Sequence, residues 1–356
     1  MLKIQPSHTT LSGAAYFNPK TKKLVQYIPP QSIAVIQHKD IDELAAKALI
    51  YRKVKAVVNI RTSMSGEYMS SGTSLLLKQG IPVFDVLSYG EETGKNKELK
   101  NYISEQLRHG EVCIINDLYL YKLQNGRSVQ LAKLLKYTEE IIQLKRSEAD
   151  LNSLNQLQQF AENTLFYAKR DMEDILKPIL LPNIHTLIEN KHVVVVTRGK
   201  GYLEDLLAIR PYIERYSPVL IGVDGGADAL LDCGLTPDLI IGDMDSVSSS
   251  ALQSGAELVV HTYANGRGPG VEEMSSNGVN QYVSFPCLGT SEDAAYLLAY
   301  EAGAEKIVAI GSHTSMHDFL EKGREGMGST FLIRLKIGNK LVDGKGIRFL
   351  FAEEAL

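Results

Sequence analysis

Six short apolar runs recur between residues 190 and 345: Val193–Thr197, Pro218–Val223, Asp238–Ile241, Glu257–Thr262, Gln281–Phe285 and Lys306–Ile310. Stretches of helical spacing lie between several of them, at Tyr202–Ile213, Ala227–Cys233 and Ser291–Ala302. A strand apolar at every position is buried on both faces. Such strands alternating with helices therefore predict a parallel sheet sandwiched between helical layers. Ligands of these sheets bind outside the carboxyl ends of the strands, so chemistry is sought in the residues that follow each run.

Two other segments precede this one. Residues 1–125 hold further β-like runs at Ser32–Gln37, Lys55–Ile60 and Ile81–Leu87, with helical spacing at Ile41–Tyr51 and a short helix ending at Leu75–Lys78 before Gly80. Glu111–Ile115 and Leu118–Lys122 read as a strand pair. Together they predict a small mixed α/β domain. Residues 126–182 read as a helical connector, with no Gly or Pro from 128 to 177. Leu151, Leu165 and Met172 fall on one sevenfold series with Gln158, and Leu154, Ala161, Ala168 and Ile175 on another. Two interleaved series mark a helical seam, open to a dimerising coiled coil in a homodimer or to packing on the protein's own domains. The sheet domain is then 183–345, and 346–356 is a tail.

The chain's 356 residues suffice for two domains, and 44 % hydrophobic with 22 % charged residues is a globular, soluble profile. A net charge of -4 speaks against a nucleic-acid partner. Cys113, Cys233 and Cys287 form no CxxC pair and fit a reducing cytosol. The N-terminus lacks the pattern of a signal peptide, and no apolar run reaches the ~18–20 residues of a membrane span, so a cytoplasmic location is expected.

The chemistry concentrates in Gly222–Ser246. Asp224 stands just past one strand end, and Asp243 and Asp245 just past the next, with the Pro237-Asp238 turn between them. Gly225 and Gly226 would let backbone approach a phosphate at the start of the following helix. Asp243 and Asp245, two apart, can face one cation, and Mg²⁺ takes one or two carboxylates plus substrate phosphates. Arg198 and Gly199, ending the first strand, would line the nucleotide crevice. Arg267, in the glycine-rich loop Asn265–Gly270, is a further phosphate candidate or an ordinary loop residue. His261, His313 and His317 lack metal-ligand spacing and are expected in ordinary polar roles. Lys322, Arg324, Arg334, Lys336, Lys340 and Lys345 make the C-terminal stretch basic, a solvated face or a contact for an anionic membrane.

At the DGG loop and the PD-x-IIGD-x-DS run, Val193 to about Leu320 resembles the thiamine pyrophosphokinases. That resemblance implies Mg²⁺ and ATP or another nucleotide as cofactors. It places Asp224, Asp243 and Asp245 as metal and catalytic residues, and Ser246 and Thr290 at the nucleotide. The family's Lys-Thr-Asp segment corresponds to Gly289-Thr290-Ser291, with Glu292 and Asp293 as nearby carboxylates. Its Gly-Gly-Arg-x-Asp-His segment corresponds to Thr314–Phe319, keeping Asp318 but replacing Arg by Met316 and His by Phe319. A thioether cannot replace a guanidinium at a phosphate. Only 36 residues follow Leu320, too few for the family's thiamine-pocket sandwich. Thiamine is therefore not the expected substrate; the alternative is an active ATP-dependent pyrophosphokinase on a small alcohol, with Glu292, Asp293 or Asp318 orienting or deprotonating it.

Pro218–Asp232, Gly242–Ser248, Ser254–His261, Gly289–Asp293 and Gly326–Asp343, with Ser32–His38 and Ala56–Pro82, resemble the SteA-type cytokinetic-ring proteins. This implies a role in bacterial cell division or cell separation beside a membrane-associated partner. In the first segment, Ile33–His38, Ala56–Asn59, the Ser63–Gly66 loop and Leu75–Pro82 follow the order of the swivelling phosphohistidine domains. The loop Arg61–Thr73 has no His, so phosphotransfer through it is not expected. Ser63, Ser65, Gly66 and Gly72, helped by Arg61, are candidates for an anion; a plain turn is the alternative.

Overall fold

The computed structural model describes residues 10–89, 103, 106–124, 127–263, 265–276 and 278–351. The chain divides into two compact units, Met1–Leu157 and Gln158–Leu356.

In the first unit, seven strands close a barrel in the order β1-β2-β3-β4-β7-β6-β5. They are β1 (Leu11–Asn18), β2 (Ile33–Ile36), β3 (Ala56–Asn59), β4 (Val83–Tyr89), β5 (Glu111–Asn116), β6 (Tyr119–Gln124) and β7 (Arg127–Lys136). β1 to β4 run parallel, and the remaining pairs are antiparallel. Every residue of β2 and β3 is buried, because successive side chains enter two different cores. Ile33, Val35, Ala56 and Val58 share one with Cys113, Leu120 and Leu134. Ala34, Ile36 and Val57 pack with Leu24, Leu49 and Leu76 of the helices α1 (Thr21–Tyr27), α2 (Glu43–Tyr51) and α3 (Gly72–Lys78).

β7 corrects the expected helical connector from residue 126: Arg127–Lys136 is barrel strand. A bulge in its pairing with β6, between Leu120 and Tyr121, puts the adjacent Leu131 and Ala132 both inside. The strand's period of two is thereby broken, and Leu131, Leu134 and Leu135 acquire a helix-like spacing. Helix begins at α4 (Glu139–Leu176), 38 residues long. Its Phe160, Thr164, Ala168 and Ile175 are buried in the second unit. The first sevenfold series lies outside, with Leu151 83 %, Leu165 63 % and Met172 42 % exposed. The second series splits, since Leu154 is exposed while Ala168 and Ile175 are core.

The second unit is a seven-stranded sheet in the order β12-β11-β10-β9-β8-β13-β14, parallel throughout. Its strands are β8 (His192–Val196), β9 (Val219–Val223), β10 (Leu239–Gly242), β11 (Glu257–Thr262), β12 (Val283–Pro286), β13 (Lys306–Ile310) and β14 (Leu341–Asp343). The valines of β8 alternate between two cores, Val193 and Val195 on one face and Val194 and Val196 on the other. The stretch read as one helix is two, α5 (Tyr202–Ala208) and α6 (Arg210–Tyr216), because Pro211 in the first turn of α6 cannot continue the helix before it. The remaining helices are α7 (Gly226–Asp232), α8 (Ser249–Leu252), α9 (Pro269–Ser276), α10 (Ser291–Glu301), α11 (Met316–Leu320), α12 (Gly328–Ile337) and α13 (Arg348–Phe351).

From β8 the chain steps outward to β12, then returns to place β13 on the other side of β8. The loops after β8 and β13 thus leave in opposite directions, the arrangement at which parallel α/β sheets bind ligands. There the two backbones touch: a Cβ on Gly199 would strike the Gly311 carbonyl, and one on Gly311 the Thr197 carbonyl. No helix of the described residues is long and apolar enough to cross a membrane.

Candidate functional site

Asp224 leaves β9 in the left-handed region, φ 49°, its N–H still bonded to the Ile241 carbonyl of β10. This bend lays its carboxylate over Gly242, where a Cβ would collide with it. The Met244 N–H donates to Asp224 Oδ1 at 3.1 Å, and Ser291 also favours the charged form of this carboxylate. Loss of water pushes the Asp224 carboxyl up first, then the charge of Asp243 and, more weakly, Asp245, to about 7, against the pull of Met244 N–H and Ser291. Met244 also turns at φ 60° and is buried in the core under β10 and β11. Its neighbours Asp243 and Asp245 are half-buried, and the Asp245 N–H donates to Asp243 Oδ1 at 3.3 Å.

The three aspartates therefore lie close enough for their charges to act on one another. They are not a finished cage: among the described residues no group of three or more His, Cys, Asp or Glu is arranged to hold a metal ion. The donor set still suits Mg²⁺, which takes only one or two carboxylates when phosphates supply the rest. Two hydroxyls flank these loops, Thr197 Oγ1 just past β8 and Thr262 Oγ1 at the end of β11. Both are buried without a hydrogen-bond partner among the described residues. Unsatisfied buried hydroxyls cost stability, and at strand carboxyl ends a polar ligand is what would satisfy them.

Gly225 and Gly226 answer a packing requirement of the fold itself. A Cβ on Gly226 would strike the Val196 carbonyl, and one on Gly225 the Arg198 guanidinium. Arg198 thus lies on Gly225 and donates from Nη2 to the Ser246 carbonyl at 3.4 Å, tying the loops after β8, β9 and β10 together. Ser246 contributes its backbone to that tie. Arg267 is exposed on its loop, whose backbone closes on itself through Tyr263 N–H to the Arg267 carbonyl at 2.8 Å.

Thr290, Asp293 and Asp318, expected at the nucleotide and acceptor, serve as helix caps in the fold. Thr290 and Asp293 form the capping box of α10, and Ser315 and Asp318 that of α11. Asp293 is fully buried; its Oδ2 accepts from Thr290 N–H, Ser329 and Thr330, while Oδ1 has no hydrogen-bond partner. Burial is the largest influence on it, and the carboxyl is raised. Burial also raises Asp318, but Lys345 Nζ at 2.6 Å and the N–H groups of Ser315 and Thr314 outweigh it and hold it at about 2.

Glu292 differs from both. It is buried, with Oε1 accepting from the Tyr296 hydroxyl at 2.8 Å and Oε2 bonded to His313 Nδ1 at 2.8 Å; the His313 N–H reaches both oxygens. Burial opposes its charge, but His313 and Tyr296 hold it below the usual carboxylate range. Sequence reasoning missed this pair because 21 residues separate its members, and only strand order brings β13 beside the helix that starts with Ser291. His261 keeps an ordinary role, Nε2 to the Cys287 carbonyl at 3.0 Å, with burial lowering its pKa. His317 is exposed.

In the first unit the Ser-rich loop holds internal anions in place of an external one. Both Asp85 oxygens accept from Ser63 N–H, at 3.1 and 2.9 Å; its Oδ1 takes the Ser63 hydroxyl and its Oδ2 the Tyr137 hydroxyl. Asp40 accepts the Ser65 N–H and hydroxyl. Gly72 packs where a Cβ would meet the Ile41 carbonyl, and Arg61 is exposed. The expected anion donors Ser63 and Ser65 are therefore already engaged.

No family model matches the chain, and no curated protein does. Among solved structures it is similar to thiamine pyrophosphokinase from Bacillus subtilis, with 21 % identity, 43 % of this chain, 59 % of that one and a TM-score of 0.26. It is also similar to 3-isopropylmalate dehydratase (leuD) from Methanocaldococcus jannaschii, with 10 % identity, 46 % of this chain, 99 % of that one and a TM-score of 0.23. Both TM-scores are too low for either likeness to bear on the fold or the site.

Proposed function

We propose that this chain binds a magnesium nucleotide across the carboxyl ends of β8 to β11. Asp224, Asp243 and Asp245 would share the cation with the nucleotide's phosphates, and Arg198 would keep their loops in register. The observation that carries the reading is the meeting of Asp224, Asp243 and Asp245 at the carboxyl ends of the paired strands β9 and β10, where the charges of the other two raise the buried Asp224 carboxyl. A divalent cation would relieve that repulsion. When bound, Mg²⁺ supplies neutralisation of phosphate charge, the main requirement of phosphoryl and pyrophosphoryl transfer. The missing Lys, Arg and His equivalents favour a ligand other than thiamine. The motif likeness to cytokinetic-ring proteins favours work in bacterial cell division or cell separation. In that setting the protein would be a cytoplasmic homodimer recruited to the membrane by a division partner.

Calorimetric titration with ATP, ADP and thiamine, each with and without Mg²⁺, tests the site. Metal-dependent nucleotide binding, lost in Asp243→Asn, is expected, with no heat from thiamine. Binding indifferent to Mg²⁺ or to Asp243→Asn overturns the reading. Failure of Asp243→Asn to restore division in a strain lacking the protein is expected, and full restoration overturns the cellular role.

A further inference from the structure

Resting on the nucleotide reading, we propose that His313, aligned by Glu292, is the base that deprotonates an acceptor alcohol, making the bound nucleotide a substrate. The argument starts with the tautomer. A carboxylate can only accept, so the 2.8 Å contact with Glu292 Oε2 requires the proton on His313 Nδ1. Lys322 Nζ, at 3.5 Å from the same nitrogen, is at the limit of a hydrogen bond and does not displace it. In the neutral imidazole the lone pair is then on Nε2, which has no hydrogen-bond partner among the described residues. An orienting carboxylate, a fixed tautomer and an open ring nitrogen are the parts of a general base.

Its position is set by the first turn of α10. Ser291 acts on the Asp224 carboxyl, and the next residue, Glu292, bonds His313, so adjacent residues stand beside the proposed phosphate site and hold the proposed base. The charged and titratable groups around the imidazole are Glu292 and Tyr296 from α10 and Lys322 after α11, with Arg324 beyond it. Burial lowers the Lys322 pKa, against the charges of Glu292 and, more weakly, Asp224 and Asp318.

In the step, the acceptor oxygen forms a bond to phosphorus as the bond from that phosphorus to the leaving nucleotide oxygen breaks. The bond's electron pair stays with the leaving nucleotide. The hydroxyl proton passes to Nε2, and the imidazolium, stabilised by Glu292, later returns it to water. The acceptor class is therefore an alcohol, and the donor a nucleoside triphosphate.

The test is acylation of histidine by diethyl pyrocarbonate in the full chain, read by peptide mass spectrometry, with and without MgADP at a concentration shown by calorimetry to saturate. His313 is expected to react in the free protein and about tenfold more slowly with MgADP, as its nitrogen becomes enclosed beside the phosphates. Exposed His317 should react equally in both. MgADP that binds while His313 reacts unchanged overturns this inference and leaves the nucleotide reading standing. An absence of MgADP binding removes both. Histidine ¹⁵N shifts give a second readout: His313 should be the Nδ1–H tautomer in the wild type and lose that preference in Glu292→Gln. A wild-type Nε2–H tautomer refutes the dyad.

Discussion

Replacing Asp224 by Asn should stabilise the metal-free protein at alkaline pH. The carboxyl has an ordinary pKa of 3.8 and is carried to about 7 in the fold, first by desolvation and then by Asp243. Between those values the unfolded chain has released the proton and the folded chain has kept it, so stability falls as pH rises from about 4 to about 7. Above that window the folded state bears the whole penalty, about 4 kcal/mol at 1.36 kcal/mol per pH unit. An amide retains an oxygen for the Met244 N–H and carries no charge to repel Asp243. Asp224→Asn should therefore exceed the wild type by about 2–4 kcal/mol at pH 8, the lower end allowing for relaxation of the loop, and by little near pH 4. Denaturant unfolding followed by circular dichroism, with both proteins measured at each pH in chelator, reads the difference. Mg²⁺ should shrink it, because the cation favours the charged carboxylate. A wild type as stable as Asp224→Asn at pH 8, or one gaining on it as pH rises, refutes the reasoning.

Tyr137→Phe should cost about 1–3 kcal/mol, since the hydroxyl both donates to buried Asp85 and accepts the Met64 N–H. The loss should be greater at pH 8 than at pH 5 in denaturant titration, because burial already lifts Asp85 to about 6 and the hydroxyl favours its charged form. Gly226→Ala should cost about 1–3 kcal/mol or more, its Cβ meeting the Val196 carbonyl, and should lower the thermal midpoint even without ligand. An unchanged midpoint would mean that the loop after β9 yields freely.

The sheet was readable because its strands are apolar on both faces. β11 and β13 fall where their apolar runs begin and end, and β8 to β10 within a residue or so. What escaped lacks that signature. β1 is built on Ser12, Gly13, Ala14 and Ala15, small residues that bury little and read as loop. β7 was hidden by its bulge, although Asn125-Gly126 in the sequence is a hairpin signal. α12 and β14 lie inside the recognised Gly326–Asp343 run but were not read as helix and strand, because basic residues masked the apolar face of Leu332, Ile333 and Ile337.

The candidate site was legible to a different depth, and the reason lies in which contacts are local. Asp243 and Asp245 show themselves because Met244 between them must turn inward, a relation spanning three residues. The assignments of Thr290, Asp293 and Asp318 rested on local motifs that the fold also uses as helix caps. An S/T-x-x-D pattern before a helix is a cap as readily as a ligand set, and the sequence alone does not separate the two. Glu292–His313 has no sequence signature at all. It exists because the chain, having reached β12, crosses back to lay β13 against β8, bringing the loop of His313 under the first turn of α10. The same crossing sets the strand order at whose carboxyl ends the crevice for the nucleotide is proposed. A base produced by that topology can therefore work only where the crevice binds, which is why MgADP protection of His313 tests the fold's geometry together with its chemistry.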